Sequence, residues 1–88
     1  MADVFFTERG RDRLDDLDPE TQERIKKKLG EIEDWPDHFL KPLKGRNDYA
    51  LRVGDYRALI EWEKNDGESD VLYVKSVGHR RNFYDRDV

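Results

Sequence analysis

The stretch Tyr49-Ala50-Leu51-Arg52-Val53-Gly54-Asp55-Tyr56-Arg57-Ala58-Leu59-Ile60 leaves this chain little freedom. A glycine–aspartate pair between two strand-like runs is the signature of a two-residue β-hairpin with glycine at the first central position. That register sets Val53 opposite Tyr56, Arg52 opposite Arg57, Leu51 opposite Ala58, Ala50 opposite Leu59 and Tyr49 opposite Ile60. Directly opposed residues share a face of the sheet. One face then holds Tyr49, Leu51, Val53, Tyr56, Ala58, Ile60 and Trp62 and must be covered. The other holds Ala50, Arg52, Arg57, Leu59, Glu61 and Glu63 and is expected to be open. A slip of one residue would bury both arginines.

The cover comes from the N-terminal half. Asp18-Pro19-Glu20 is a strong helix start: aspartate caps, proline takes the first helical position, and glutamate meets the positive end of the helix dipole. Ile25, Leu29 and Ile32 follow at i, i+4 and i+7, one apolar stripe, and Trp35-Pro36 ends the helix. Lys26-Lys27-Lys28 reads as its solvated face, with a phosphate-contacting ridge as the alternative. Upstream, Val4-Phe5-Phe6 reads as a first strand, and Thr7 caps a helix running from Arg9 to Leu17. Gly10 weakens that helix by about 1 kcal/mol relative to alanine. His38 to Asn47 reads as irregular, punctuated by Pro42 and Gly45. Val71 to Val77 is the last strand, reached through the turn Asn65-Asp66-Gly67. The sum is an α+β fold: a short N-terminal strand, a two-helix hairpin, then a three-stranded antiparallel meander, with the helices on one face of the sheet.

Eighty-eight residues make one domain, 1–88, without repeats or linkers. Hydrophobic residues are 35% of the chain and charged ones 43%, so nearly every apolar side chain is needed for the core. The absence of cysteine excludes a disulfide framework, a thiolate zinc site and a cysteine nucleophile. No apolar run approaches a membrane span and no signal peptide begins at Met1, so an intracellular, soluble protein is expected, with no membrane partner. His38 and His79 have no metal-ligand spacing around them, no glycine-rich phosphate loop is present, and no cofactor is called for.

The net charge of −4 hides a gradient. Residues 1–38 carry twelve acids and seven bases, whereas residues 39–88 carry nine acids and ten bases. Lys41, Lys44, Arg46, Arg52 and Arg57 form a local positive site on an acidic body, suited to an anionic ligand. Arg52 and Arg57, directly opposed, repel one another. Either Glu61 or Asp55 relieves them, or a phosphate between them does, since guanidinium forks suit phosphate oxygens. The last strand runs into His79-Arg80-Arg81-Asn82-Phe83-Tyr84, which adds three basic or titratable side chains and a tyrosine just past a strand end.

With those residues in view the chain resembles the RelE/ParE superfamily of toxins. The resemblance rests on Leu40-Lys41-Pro42-Leu43-Lys44-Gly45, on Tyr49 to Arg57, and on Val77-Gly78-His79-Arg80-Arg81 with Tyr84, in that order and spacing. It implies the toxin of a type II toxin–antitoxin pair: a cytoplasmic, ribosome-dependent mRNA endonuclease that enters the ribosomal A site and cuts without a metal. The substrate's 2′-hydroxyl attacks the adjacent phosphate, giving a 2′,3′-cyclic phosphate and a free 5′-hydroxyl. By position Arg57 and Arg80 resemble the catalytic arginines. Arg52 takes the place of a strand lysine, and Tyr84 that of the C-terminal tyrosine. Lys41, Lys44, Arg46 and Arg81 are the expected RNA contacts. Ala50 departs from the pattern, standing where some members carry a lysine as base, and leaves His79 or Tyr84 for proton removal.

The resemblance also implies a cognate antitoxin and a toxin–antitoxin hetero-oligomer, with an antitoxin helix or strand laid across the sheet and helices. Leu14 and Leu17 are expected to be exposed on the first helix as one docking place. Two other readings stay open within the superfamily: a ParE-type inhibitor of DNA gyrase that is no enzyme, and an inactive member acting only in repressor assembly.

Overall fold

The fold comes from a computed structural model that describes residues 2–34, 36–43, 48–64 and 70–81, without the side chains of Ala2 and Asp37. The elements in chain order are β1 (Ala2–Phe6), α1 (Glu8–Asp15), α2 (Pro19–Asp34), a single-turn α3 (Pro36–Phe39), β2 (Leu40–Pro42), β3 (Asp48–Val53), β4 (Tyr56–Glu63) and β5 (Asp70–His79). The strands form one five-stranded sheet in the order β1-β5-β4-β3-β2. β1 runs parallel to β5, and the other neighbours are antiparallel. The expected meander is the β3-β4-β5 centre of this sheet, with one further strand on each side.

The hairpin has the register its sequence requires, Val53↔Tyr56 through Tyr49↔Ile60. Gly54 has φ +60° and Asp55 has no positive φ, the pattern of a type II′ turn. Leu51, Val53, Ala58, Ile60 and Trp62 are buried on the helix face, together with Leu72, Val74 and Val77 of β5. The α2 stripe Ile25, Leu29 and Ile32 closes over them. Asp18 caps α2 by accepting the Thr21 N–H at 3.2 Å and the Thr21 hydroxyl at 2.7 Å. Those two bonds hold its carboxyl below the usual aspartate range, the hydroxyl contributing most.

α1 is pinned to β5. Thr7 caps it by accepting the Gly10 N–H at 3.0 Å, and its own N–H donates to the Val74 carbonyl at 3.1 Å. Gly10 is buried against that carbonyl, so here glycine serves close approach of a helix to a strand rather than weakening a helix.

Three expectations need correction. His38 to Asn47 is not irregular throughout: α3 ends inside it, and Leu40–Pro42 pairs antiparallel with Leu51–Tyr49. Leu14 is not an exposed docking place: it is 4% exposed, and half-buried Leu17 packs on the same core. The far face of the hairpin is not fully open, because Ala50 and Leu59 are buried there with Leu43 packed on them, and Arg57 is buried as well. Lys44, Arg46, Tyr84, Trp35 and the turn Asn65-Asp66-Gly67 lie outside the described residues.

Candidate functional site

Three features of the backbone converge at the tip of the β3–β4 hairpin. The turn places Arg52 and Arg57 directly across from one another. β5 continues alongside, with Gly78 opposite Arg57 and His79 opposite Tyr56. Just beyond β5 the Arg80 N–H donates to the Asp55 carbonyl at 2.8 Å, which ties the chain after the strand onto the turn. Arg52, Arg57, Arg80 and Arg81 are thereby gathered at one end of the sheet. Nothing among the described residues lies within 4 Å of the position a side chain on Gly78 would take, so the sheet is uncluttered beside Arg57.

The arginines differ in how they are held. Arg57 is 9% exposed, and its Nη1 donates to the Gly54 and Tyr56 carbonyls, both at 2.8 Å. Buried cations need such partners, and carbonyls pointing inward from a tight turn provide them at fixed geometry. Arg80 has a side chain 57% exposed, with its Nε 4.0 Å from Asp55 Oδ1, a weak surface contact. Arg52 is exposed. Glu61 pairs instead with Lys75 at 3.5 Å, in a small network that also takes in Asp48 at 3.4 Å.

His79 stands apart from this group. It shares the helix face with Tyr56, against whose ring it packs edge-on at 5.4 Å, while Arg57 and Gly78 occupy the opposite face. Its Nδ1 accepts the Arg81 N–H at 3.3 Å, which leaves Nε2 to carry the ring proton of the neutral form.

Lys41 comes nearer the arginines than sequence position suggests. It is directly opposite Ala50 on β2, is exposed, and therefore shares the face of Ala50, Arg52 and Arg57. Sequence reasoning named Lys41 among anion contacts but missed this juxtaposition, because a three-residue strand ending in proline carries no strand signal of its own. Among the described residues no group of three or more His, Asp or Glu side chains could hold a metal ion, and no helix is long and apolar enough to cross a membrane. The arrangement offers fixed positive charge at a corner of the sheet, which is what a phosphate gaining charge requires.

Comparison with known proteins places the chain in a family. Residues 4–84 match the family model described as ParE toxin of type II toxin-antitoxin system, parDE. No curated protein matches the chain. Among solved structures the chain is similar to a chain of the toxin-antitoxin complex RelBE2 from Mycobacterium tuberculosis, with 27% identity, a TM-score of 0.75, and coverage of 90% of this chain and 98% of that one. It is also similar to a chain of the RelB-RelE antitoxin-toxin complex from Methanococcus jannaschii, at 29% identity and TM-score 0.66, covering 93% and 96%. A third likeness is to a chain of the intact E. coli RelBE toxin-antitoxin complex, at 28% identity and TM-score 0.69, covering 90% and 96%.

Proposed function

The chain belongs to the ParE toxin family of type II toxin–antitoxin systems, within the RelE/ParE superfamily, and from that premise we propose that it is a ribosome-dependent mRNA endonuclease. The observation that carries the reading is the convergence of Arg57 and Arg80 on one turn, the first locked by two carbonyls and the second docked through its backbone. In the proposed reaction the 2′-oxygen of the mRNA attacks the adjacent phosphorus and the bond to the 5′-oxygen breaks. A 2′,3′-cyclic phosphate and a free 5′-hydroxyl result. The 2′-hydroxyl proton leaves to a base, and the departing 5′-oxygen gains a proton. Arg57 and Arg80 stabilise the charge that builds on the phosphate oxygens, an effect whose removal typically costs about 10²–10³ in rate.

For proton removal Tyr84 lies outside the described residues, and among those described Lys41, across from Ala50, is a candidate that shares the face of Arg57. His79 faces the other way with Nδ1 engaged, which suits it to positioning the Arg81 backbone. Arg52 and Arg81 contribute charge toward the RNA strand. A cognate antitoxin and a toxin–antitoxin hetero-oligomer belong to the same reading, supported by similar chains that come from toxin-antitoxin complexes, and a cytoplasmic setting goes with it as part of the proposal. A non-enzymatic inhibitor of DNA gyrase is the second reading. The ParE description of the matched family and the alanine at position 50 favour it.

Arg80→Ala is the discriminating variant, because an exposed side chain with one weak ion pair can be removed without loosening the fold. In a cell-free translation extract the wild type is expected to arrest synthesis and leave discrete cuts in the mRNA by primer extension. Arg80→Ala and Lys41→Met should cut at least tenfold more slowly. Arg57→Ala should do so too, with circular dichroism to establish that it is folded. Undisturbed translation with intact mRNA, from folded wild-type protein, refutes the nuclease reading and makes a gyrase supercoiling assay the next measurement.

A further inference from the structure

Between α2 and the hairpin runs a groove of about 450 Å³, lined by Arg24, Lys27, Lys28 and Glu31 of α2, by Arg52 and Val53 of β3, and by Gly54. Arg24, Lys27 and Lys28 lie at i, i+3 and i+4, so the helix presents them on one side. Four cations face a single acid there, in a chain whose net charge is −4. Lys28 has partners of its own: Glu31 at 3.7 Å and the Phe39 ring, 4.8 Å below its amine. Arg24, Lys27 and Arg52 have no ion pair within 4.0 Å among the described residues. Three like charges held along one groove repel one another, and a polyanion entering it removes that repulsion.

The groove adjoins the arginine cluster through one residue. A side chain on Gly54 would stand 3.1 Å from Arg24 Nη2, while the Gly54 carbonyl accepts from Arg57 Nη1 at 2.8 Å. Arg24 and Arg57 therefore flank the same glycine from opposite sides. Arg52, opposite Arg57 on the strand pair, links the groove to the other face. Among the described residues the lining contains no exposed aromatic ring on which a base could stack, so these side chains read phosphates rather than sequence. It also suits a peptide poorly. Val53 is the one apolar lining residue among those described, and the β3 backbone is free of β2 only past the Leu40↔Leu51 pair, too short a stretch for strand addition.

We propose that this groove is a phosphate-backbone subsite, which holds the RNA strand where it continues past the hairpin tip from the Arg57–Arg80 cluster. The inference deepens the nuclease reading and rests on it for the identity of the strand, but not for the existence of the subsite. Its residues position the strand and take no part in bond breaking.

The test is binding of a labelled 2′-O-methyl oligoribonucleotide, which cannot supply the attacking hydroxyl, followed by fluorescence anisotropy over a salt series. Removing one cation that neutralises a phosphate lowers the salt slope by about 0.7 for a single strand. The double variant Arg24→Gln/Lys27→Gln is therefore expected to lower it by about 1.4, and to weaken binding roughly tenfold or more near 0.1 M salt. The loss should be equal for oligonucleotides of different sequence. Lys26→Gln/Lys64→Gln removes the same charge elsewhere, since Lys26 faces Val4 and Phe6 on the other side of α2 and Lys64 lies at the far end of β4. It should leave the slope near the wild-type value. Equal effects of the two double variants overturn the proposal. So does an unchanged slope in the groove variant, or wild-type protein that binds no RNA. A groove variant that binds RNA normally but has lost binding to a polyglutamate peptide also overturns it, and assigns the groove to an acidic protein partner. If the slopes differ as expected while the unmodified mRNA is never cut, the nuclease reading fails and the subsite stands.

Discussion

Gly10 and Gly30 both lie inside helices, where replacement by alanine ordinarily stabilises by roughly 0.5–1 kcal/mol. The structure separates them. A side chain on Gly30 would meet nothing within 4 Å among the described residues, so Gly30→Ala should show the ordinary gain. A side chain on Gly10 would overlap the Val74 carbonyl oxygen and stand 2.9 Å from its carbon, closer than real Cβ contacts come. Both obstructing atoms are backbone in a central region of the sheet, so relief requires α1 to withdraw from β5. Withdrawal lengthens the two bonds Thr7 makes to the Val74 carbonyl, 3.1 Å from its N–H and 3.2 Å from its hydroxyl, and loosens Leu14 in the core. Overpacking of this kind costs about 1–3 kcal/mol, and each weakened hydrogen bond adds about 1 kcal/mol. Set against the helix gain of about 1 kcal/mol, Gly10→Ala should be destabilised by about 2–4 kcal/mol net. For a domain of this size that is a fall in Tm of about 8–32 °C, against a rise of about 2–8 °C for Gly30→Ala. Thermal unfolding followed by circular dichroism reads both. A Gly10→Ala protein as stable as the wild type, or more so, refutes the close approach of α1 to β5 and with it the packing argued for the N-terminal half.

Two other features are testable in the same assay. Asp18 has a carboxyl held below its ordinary value by the Thr21 hydroxyl and N–H, so the stability it adds is fully present above the unfolded-state pKa and is lost as pH falls through the lower native one. Asp18→Ala should therefore melt earlier at neutral pH, and the gap to the wild type should close only below about pH 4; a gap independent of pH would show that the cap's charge is irrelevant. Ser76 is 1% exposed, opposite Leu59 on β4, and its hydroxyl has no partner among the described residues, so Ser76→Ala should raise stability by about 1 kcal/mol. A fall in Tm would mean that the hydroxyl has a partner the packing does not reveal.

What could be read from the sequence was whatever local chemistry decides. The hairpin register follows from one turn dipeptide and a period of two, and α2 follows from an aspartate cap and a 3.6-residue stripe. β2 was illegible because Leu40-Lys41-Pro42 becomes a strand only through pairing with β3, and a proline-bearing triplet is otherwise a turn. The parallel pairing of Ala2–Phe6 with Asp70–Val74 joins the two ends of the chain, which no local pattern encodes. Leu14 was misplaced for the same reason, since its burial depends on α1 lying tight against β5. At the site, the opposed arginines were legible, while the burial of Arg57 was not: the turn carbonyls that take its hydrogen bonds become acceptors only once the hairpin exists. The lysine ridge of α2 was visible as a ridge, but nothing in the sequence said that Lys27 and Lys28 face Arg52 while Lys26 turns away.

The contrast between Arg57 and Arg80 bears on what the site is for. A short chain with little core has reason to keep its cations in water, where their desolvation costs nothing. Arg80 obeys that rule, and Arg57 does not. Its burial is tolerable because a turn with a positive-φ glycine aims the Gly54 and Tyr56 carbonyls at one guanidinium nitrogen. A stability role alone gives little reason for this, since a neutral side chain in the same place would need no such partners. Stabilising a transition state does give one: charge helps most when it is already fixed where the new charge will appear, and least when it must be gathered from solvent as the reaction proceeds. Arg80, by contrast, is docked only through its backbone and has an exposed head, suited to following a substrate as it arrives. In the proposed reaction, one fixed and one adaptable cation at the same turn would divide the work between preorganisation and capture. Gly54 is the residue that makes the division possible, because its backbone holds Arg57 on one side while the side-chain-free α-carbon lets Arg24 approach on the other.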